Sequence, residues 1–333
     1  MDIDPTPAND RAKSSEARIT YNFFQRMQDS SRPPPDISAL SLDMNSFRKA
    51  FLKIVPSSKR EGFATVPDTT WADIGALEDV RKELNDAIVR PIKMPEVYKD
   101  FGIKAPTGVL LWGPPGCGKT LLAKAVANES KANFISVKGP ELFNKYLGES
   151  ERAVRQLFNR ARSSVPCVLF FDEFDALVPN RDSGSGNEAS SRVVNMLLTE
   201  LDGLVGREGI YVIAATNRPD IIDPAMLRPG RLEKIISIGL PKPEERVTIL
   251  RTLLSQTKID QSLSHFASRD DCANFSGADL AALLRQAVHG AIERESRIVE
   301  LPDFEKAIQM VNPSVKDSAV YERMKRKLSK NAG

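Results

Sequence analysis

Histidine and cysteine are scarce in this chain: two of the first and three of the second among 333 residues. With only His265 and His289 present, a histidine-built metal site is not expected. Cys117, Cys167 and Cys272 stand alone, with neither CxxC pairing nor zinc spacing, so buried thiols in a reducing compartment are expected. Long apolar runs are lacking as well. None approaches membrane-spanning length, and MDIDPTPANDRAKSSEA has no apolar signal core, so the expectation is a soluble, intracellular chain. Charge of one sign is also missing: 47 basic against 44 acidic side chains leave +3, no bulk electrostatic case for nucleic acid or membrane. The basic stretch YERMKRKLSK reads as a solvated terminal helix. What is present is an ordinary globular mixture, 41% hydrophobic and 27% charged, long enough for one large domain or two ordinary ones.

Patterning divides the chain. Residues 1–43 are polar and proline-interrupted, and are expected to be disordered or linker. From Gly108 onward, short apolar runs alternate with amphipathic stretches: VLLW (109–112), FISV (134–137), CVLFF (167–171), IYVIAAT (210–216) and IISIGL (235–240). Runs apolar on both faces indicate buried parallel strands, and the stretches between them carry helical period; Val194, Leu197, Leu198 and Leu201 share one face. This is a doubly wound α/β domain, expected over 66–240 and introduced by a helix near 77–90. After Pro241 strands disappear, and PEERVTILRTLL, SGADLAALLRQAVHGAIERES and residues 303–311 are helical by period. A small all-helical lid is expected at 241–315, then a basic helix or tail at 316–333. Ser276 and Asp279 have the spacing of a capping box.

GPPGCGKT, Gly113 to Thr120, fits G-x-x-x-x-G-K-[ST] directly after an apolar strand and before a helix. Glycines at that place let backbone N–H groups surround phosphates at a helix N-terminus. Lys119 would reach the β- and γ-phosphates and Thr120 would hold Mg2+. The strand CVLFF delivers Asp172 to the sheet edge where α/β folds bind ligands, suited to the Mg2+ shell, and Glu173 beside it suits polarising a water. Other positions are ambiguous from the residues alone. Asn217 suits orienting a water or phosphate, and equally an Asx turn before Arg218-Pro219. Arg228 and Arg231 flank a Pro-Gly turn and read as solvated charges or as an arginine finger. Tyr146 and Leu147 in KYLGES read as helix core or as a loop tip.

The ordered set GPPGCGKT, KGPELFNKYLGESE, FFDEFDAL, ATNRPDIIDPAMLRPGR, LPKPEER and FSGADLAALL resembles the AAA family of ATPases over about residues 66–315. The resemblance implies homo-hexameric rings with ATP and Mg2+ between neighbours. It implies that Asn217 senses the γ-phosphate, that Arg228 and Arg231 are fingers supplied in trans, and that Tyr146 with Leu147 grips polypeptide in a central pore. Nucleotide contacts carried over are Asp73, Ile74 and Gly75, then Pro115, Gly116, Cys117, Gly118 and Leu121 of the phosphate loop and its helix, and Gly277 with Ala278 of the lid. The chain departs from the pattern at Leu147, often aromatic in relatives, at Phe174, where a smaller aliphatic is usual, at Ala76, often a second glycine, and at Leu253, polar in some relatives. ARSSVPCVLFFDE and ERVTILRTLL look closest to the nuclear valosin-like branch of the family, tandem-ring ATPases of the nucleus and nucleolus. For that branch the implied partner is a pre-ribosomal assembly factor, released from maturing large subunits.

An ATP-driven protein remodeller is the expected function. A nucleic-acid motor would need a basic groove, against which the near-neutral charge speaks, and a nucleotide-gated scaffold would not need Glu173 or the arginines. FRKAFLKIVPSS (47–58) repeats FEKAIQMVNPSV (304–315) at five positions: Phe47, Lys49, Ala50, Pro56 and Ser57 match Phe304, Lys306, Ala307, Pro313 and Ser314. Residues 44–65 are therefore expected to be the last helix of a preceding ATPase module and the linker that follows it.

Overall fold

The computed structural model describes residues 66–331, apart from 104–105, 143–148, 180–187, 205–208, 256, 258 and 316, together with the helical residues Met44, Asn45 and Arg48. All but those three belong to the unit Ser57–Gly333. The expected N-terminal linker, most of the repeat segment 44–58 and the tip Tyr146–Leu147 lie outside the described residues.

Five strands form one parallel sheet: β1 (Gly108–Trp112), β2 (Asn133–Lys138), β3 (Cys167–Asp172), β4 (Ile210–Thr216) and β5 (Lys234–Ser237), in the order β2-β3-β4-β1-β5. Alternation decides which residues face which layer. Leu110, Leu169, Phe171, Val212 and Ala214 point to one face. There they meet α5 (Glu149–Ser163) and α7 (Glu188–Asp202) through Phe158, Val194, Leu197 and Leu201. Val109, Leu111, Val168, Phe170 and Ile213 point the other way, onto α4 (Lys119–Glu129) and a helical run in front of the sheet. That run comprises α1 (Glu78–Leu84), a π-helical turn (Asn85–Val89) and α2 (Arg90–Lys93). It extends past the expected end near residue 90, with Pro91 taken into the run directly after the π-helical turn, the kind of local adjustment that accommodates a proline within a helix. A short α3 (Pro95–Asp100) follows, and α6 (Phe174–Leu177) leaves the end of β3.

β5 stops at Ser237 although the apolar run continues to Leu240. Among the described residues its strand neighbour is β1, Ser237 already pairs with the final residue Trp112, and Gly113 leaves the strand at φ +150°. Phe174, a departure from the family pattern, is almost fully buried in the core beneath the sheet edge, its ring 5.8 Å from that of Phe171.

The lid packs α8 (Pro243–Ser255), α9 (Gly277–Glu293) and α10 (Leu301–Met310) around Leu250, Leu254, Leu283, Ala287, Phe304 and Phe266. Leu253 packs against this core from its edge. The expected capping box is present: the Ser276 side chain accepts from the Asp279 N–H while the Asp279 carboxylate accepts from the Ser276 N–H. The basic stretch forms α11 (Ala319–Asn331). All three cysteines are buried and unbridged. Among the described residues no group of His, Cys, Asp and Glu is placed to hold a metal, and no helix is long and apolar enough to cross a membrane.

Truncating Phe174 to alanine should cost about 3–5 kcal/mol, measured by denaturant unfolding, whereas Phe174→Leu should cost clearly less because it refills most of the space.

Candidate active site

Strand order brings three chain segments to one place. β4 lies between β1 and β3, so the residues leaving their carboxyl ends, Gly113, Asn217 and Glu173, emerge side by side. The pairing of Trp112 with Thr216 continues one step further, where the Gly113 N–H donates to the Thr216 carbonyl at 3.2 Å. Such an edge is where open α/β sheets take ligands.

The loop from Gly113 to Gly118 is shaped by backbone conformation. Gly113, Gly116 and Gly118 all have positive φ, and a Cβ on Gly113 would stand 1.9 Å from the Ile238 carbonyl oxygen. Lys119 opens α4 as a buried side chain, its Nζ donating to the carbonyls of Gly113 (2.9 Å) and Pro114 (2.7 Å). Burial lowers its pKa, partly offset by Cys117, Asp172 and Asp175. A buried ammonium held beside a turn of positive-φ glycines is suited to an anion. Burial pushes the Cys117 thiol up to about 11, although Lys119 pulls the other way. Leu121, next along the helix, is exposed.

Thr120 Oγ1 donates to Asp172 Oδ2 at 3.0 Å, so a hydroxyl and a half-buried carboxylate meet at the helix start, a hard oxygen pair of the kind Mg2+ takes. Asp172 Oδ1 accepts from the Glu173 N–H at 3.0 Å. Glu173 adopts a left-handed conformation, φ +51°, which leaves its side chain exposed while Phe174 is buried. The turn is packed closely: a Cβ on Gly139 would approach the Glu173 carbonyl oxygen to 2.4 Å. Strained backbone of this kind gathers at functional sites.

Asn217 sits half-buried just past β4, and its Oδ1 is buried without a hydrogen-bond partner. The loop holding it is fixed by Thr216, whose Oγ1 donates to Asp175 Oδ1 at 2.6 Å and accepts from the Arg218 N–H at 2.9 Å. Neither Thr216 nor Asp175 was expected at the site. Their signal was the third acidic position of DEFD and a hydroxyl at a strand end.

The two arginines differ. Arg228 is exposed. Arg231 is mostly buried and held by Asp202 at the end of α7 through Nε–Oδ1 (2.6 Å) and Nη2–Oδ2 (2.8 Å), while Nη1 donates to the Ala225 carbonyl (2.6 Å). The Arg231 hydrogen bond holds the Asp202 carboxyl below the usual range.

Two points of the lid touch this assembly. The Ala278 N–H donates to the Gly116 carbonyl at 3.1 Å, and a Cβ on Gly116 would stand 2.5 Å from Ser276 Oγ. Asp73 and Ile74 end a 3-10 turn in front of the sheet, and at Gly75 a Cβ would fall 2.6 Å from Ile249 Cα in α8.

Residues 109–240 match the family described as ATPase family associated with various cellular activities (AAA), and residues 260–306 match the AAA+ lid domain. An uncharacterized AAA domain-containing protein of Schizosaccharomyces pombe is 58% identical over 321 residues, covering 89% of this chain and 41% of that protein. The ribosome biogenesis ATPase RIX7 of Saccharomyces cerevisiae is 55% identical, covering 88% and 39%. The nuclear valosin-containing protein-like of Mus musculus is 53% identical, covering 88% and 36%. The chain thus spans about two fifths of the length of the curated relatives it matches.

With its pKa at about 11, Cys117 should react with iodoacetamide at pH 7.5 on the order of 100-fold more slowly in the native chain than in urea, read from the labelled peptide by mass spectrometry. The native rate should climb as pH rises towards 11.

Proposed function

Because the chain belongs to the AAA family of ATPases and carries that family's domain and lid, we propose that it hydrolyses Mg-ATP at the edge of β1, β4 and β3 to remodel a protein substrate. The observation that carries this reading is the convergence there of buried Lys119, the Thr120–Asp172 hydrogen bond and the unpartnered Asn217 Oδ1. Pro115 would shape the turn, while backbone N–H groups from Gly116 to Leu121 and the Lys119 ammonium would bind the phosphates. Asp73, Ile74 and Gly75 on one side, with Gly277 and Ala278 on the other, would bracket the rest of the nucleotide. Thr120 and Asp172 would hold Mg2+, which neutralises charge on the β- and γ-phosphate oxygens.

Glu173, exposed beside that pair, takes the proton of the attacking water as it adds to the γ-phosphorus, and ADP leaves with inorganic phosphate as the other product. Asn217 orients the water, which donates to its free Oδ1, or the γ-phosphate, to which its Nδ2 amide donates. Arg228 reaches the site of the next subunit in a homo-hexamer, and Arg231 joins it on release from Asp202. Tyr146 and Leu147 line the pore through which polypeptide is drawn. Names of relatives that read ribosome biogenesis ATPase and nuclear valosin-containing protein-like support a substrate among pre-ribosomal assembly factors, and a place in the nucleus and nucleolus. The repeat at 47–58 supports a preceding ATPase module, residues 44–65 being its last helix and the linker, with the ATP-binding domain at 66–240, the lid at 241–315 and the basic tail at 316–333.

Glu173→Gln should bind ATP within about twofold of the parent and lose hydrolysis by on the order of 100-fold or more, measured by phosphate release. Arg228→Ala should be down by ~10³ on its own. Mixing the two inactive variants should restore part of the rate, since an Arg228→Ala site gains its finger from a Glu173→Gln neighbour. A mixture as inactive as its components would remove the arrangement in trans.

A further inference from the structure

The segment FEKAIQMVNPSV takes no part in the chemistry above, yet its last residues reach the nucleotide side of the lid. α10 ends at Met310, Pro313 follows, and Ser314 returns the chain to the start of α9. There the Ser314 N–H donates to Asp279 Oδ2 at 3.2 Å and the Ser314 hydroxyl donates to Asp279 Oδ1. Oδ2 also accepts from the Ser276 N–H and the Ser276 hydroxyl, both at 2.9 Å. Asp279 and Ser276 are buried, whereas Ser314 lies at the surface. Four donors from two distant segments therefore fix one carboxylate. Burial alone would raise its pKa, but the hydrogen bonds from Ser314 and Ser276 outweigh that and hold it below the usual carboxylate range.

The carboxylate matters because of what its own turn touches. Ser276 and Ala278, on either side of Gly277, are the residues packed against Gly116 in the phosphate loop, through the 3.1 Å hydrogen bond and the close Ser276 Oγ approach. Ser276 supplies half of the donors to Asp279 and, with its Oγ, the nearest side-chain atom to a Cβ on Gly116, the Ala278 methyl lying just behind it. Without Ser314, Oδ1 would lose its donor, and the carboxylate could turn within its site. A turn of that carboxylate moves Ser276, and with it the edge of the phosphate loop.

We propose that Ser314 is a positioning residue for nucleotide binding, a latch by which the Pro-Ser end of the lid fixes the first turn of α9 against the phosphate loop. The inference rests on the nucleotide reading of that loop. Ser314 touches no nucleotide. It acts through Asp279 and Ser276, so its removal should alter affinity and leave the chemical step alone.

The test uses the full chain, N-methylanthraniloyl-ADP as the binding probe, and steady-state ATP hydrolysis. Ser314→Ala should weaken binding of the probe and raise KM for ATP about tenfold, with kcat at saturation within about twofold of the parent. Ser314→Thr, which keeps the hydroxyl, should restore both constants. Ser314→Cys, with a weak donor of similar size, should fall between, and it carries the comparison if the alanine variant does not fold. A lowered Tm with unchanged probe binding would mean that the contact only stabilises the lid, and would overturn the proposal. So would a fall in kcat at unchanged KM. A parent chain that fails to bind the probe would instead remove the nucleotide reading, before any variant is compared.

Discussion

Parallel pairing of β1 with β4 and of β4 with β3 is the constraint on which the rest of this molecule depends. Those two registers make Gly113, Asn217 and Glu173 neighbours, although more than forty residues of chain separate each from the next. With the parallel pairings of β2 to β3 and of β5 to β1, all five strands deliver their carboxyl ends, and the loops that follow, to one edge. Parallel strands need crossover helices, and those helices supply the two apolar layers that bury the sheet. The same crossover places the start of α4, with its free N–H groups, directly over the end of β1. Fold and anion site are one construction here.

The charged groups at that edge are held under tension. Burying an ammonium such as that of Lys119 disfavours its charged form, and its lowered pKa reflects this. Two carbonyls of its own loop, with Asp172 and Asp175 near by, offset part of that cost. An added anion would offset more of it, which is why a lysine in this position favours phosphate over water. The unpartnered Asn217 Oδ1 is a second unmet demand at the same edge.

Local signals were the legible ones. The glycine-rich loop, the acidic pair after CVLFF and the Ser276–Asp279 cap lie within a few residues of sequence, and each forms as its spacing requires. The sheet was legible for a related reason, since apolar runs on both faces have few other outcomes. Contacts between distant residues could not be read. Thr216 with Asp175, Arg231 with Asp202 and Ser314 with Asp279 are separated by 41, 29 and 35 residues, and only tertiary structure brings them together. The arginines show what this costs: two equal charges beside a Pro-Gly turn become one exposed side chain and one engaged on every face of its guanidinium. Phe174 is a similar case, a departure in sequence that becomes ordinary core packing once its ring meets Phe171, which in turn packs on Phe158.

Gly75 and Gly116 are two places where the lid comes within a methyl group's width of the sheet domain, one under α8 and one under the first turn of α9. A rigid body pinned at two points retains a single rotation, about the line that joins them. A lid turning about that line, like a lever on an axle, would tilt over the phosphate loop rather than slide along it. Because both pins flank the nucleotide edge, motion near the axle is small while the far end of α10 sweeps furthest. A change of an ångström at the phosphates would therefore leave the molecule as a displacement several times larger at the outer surface of the lid.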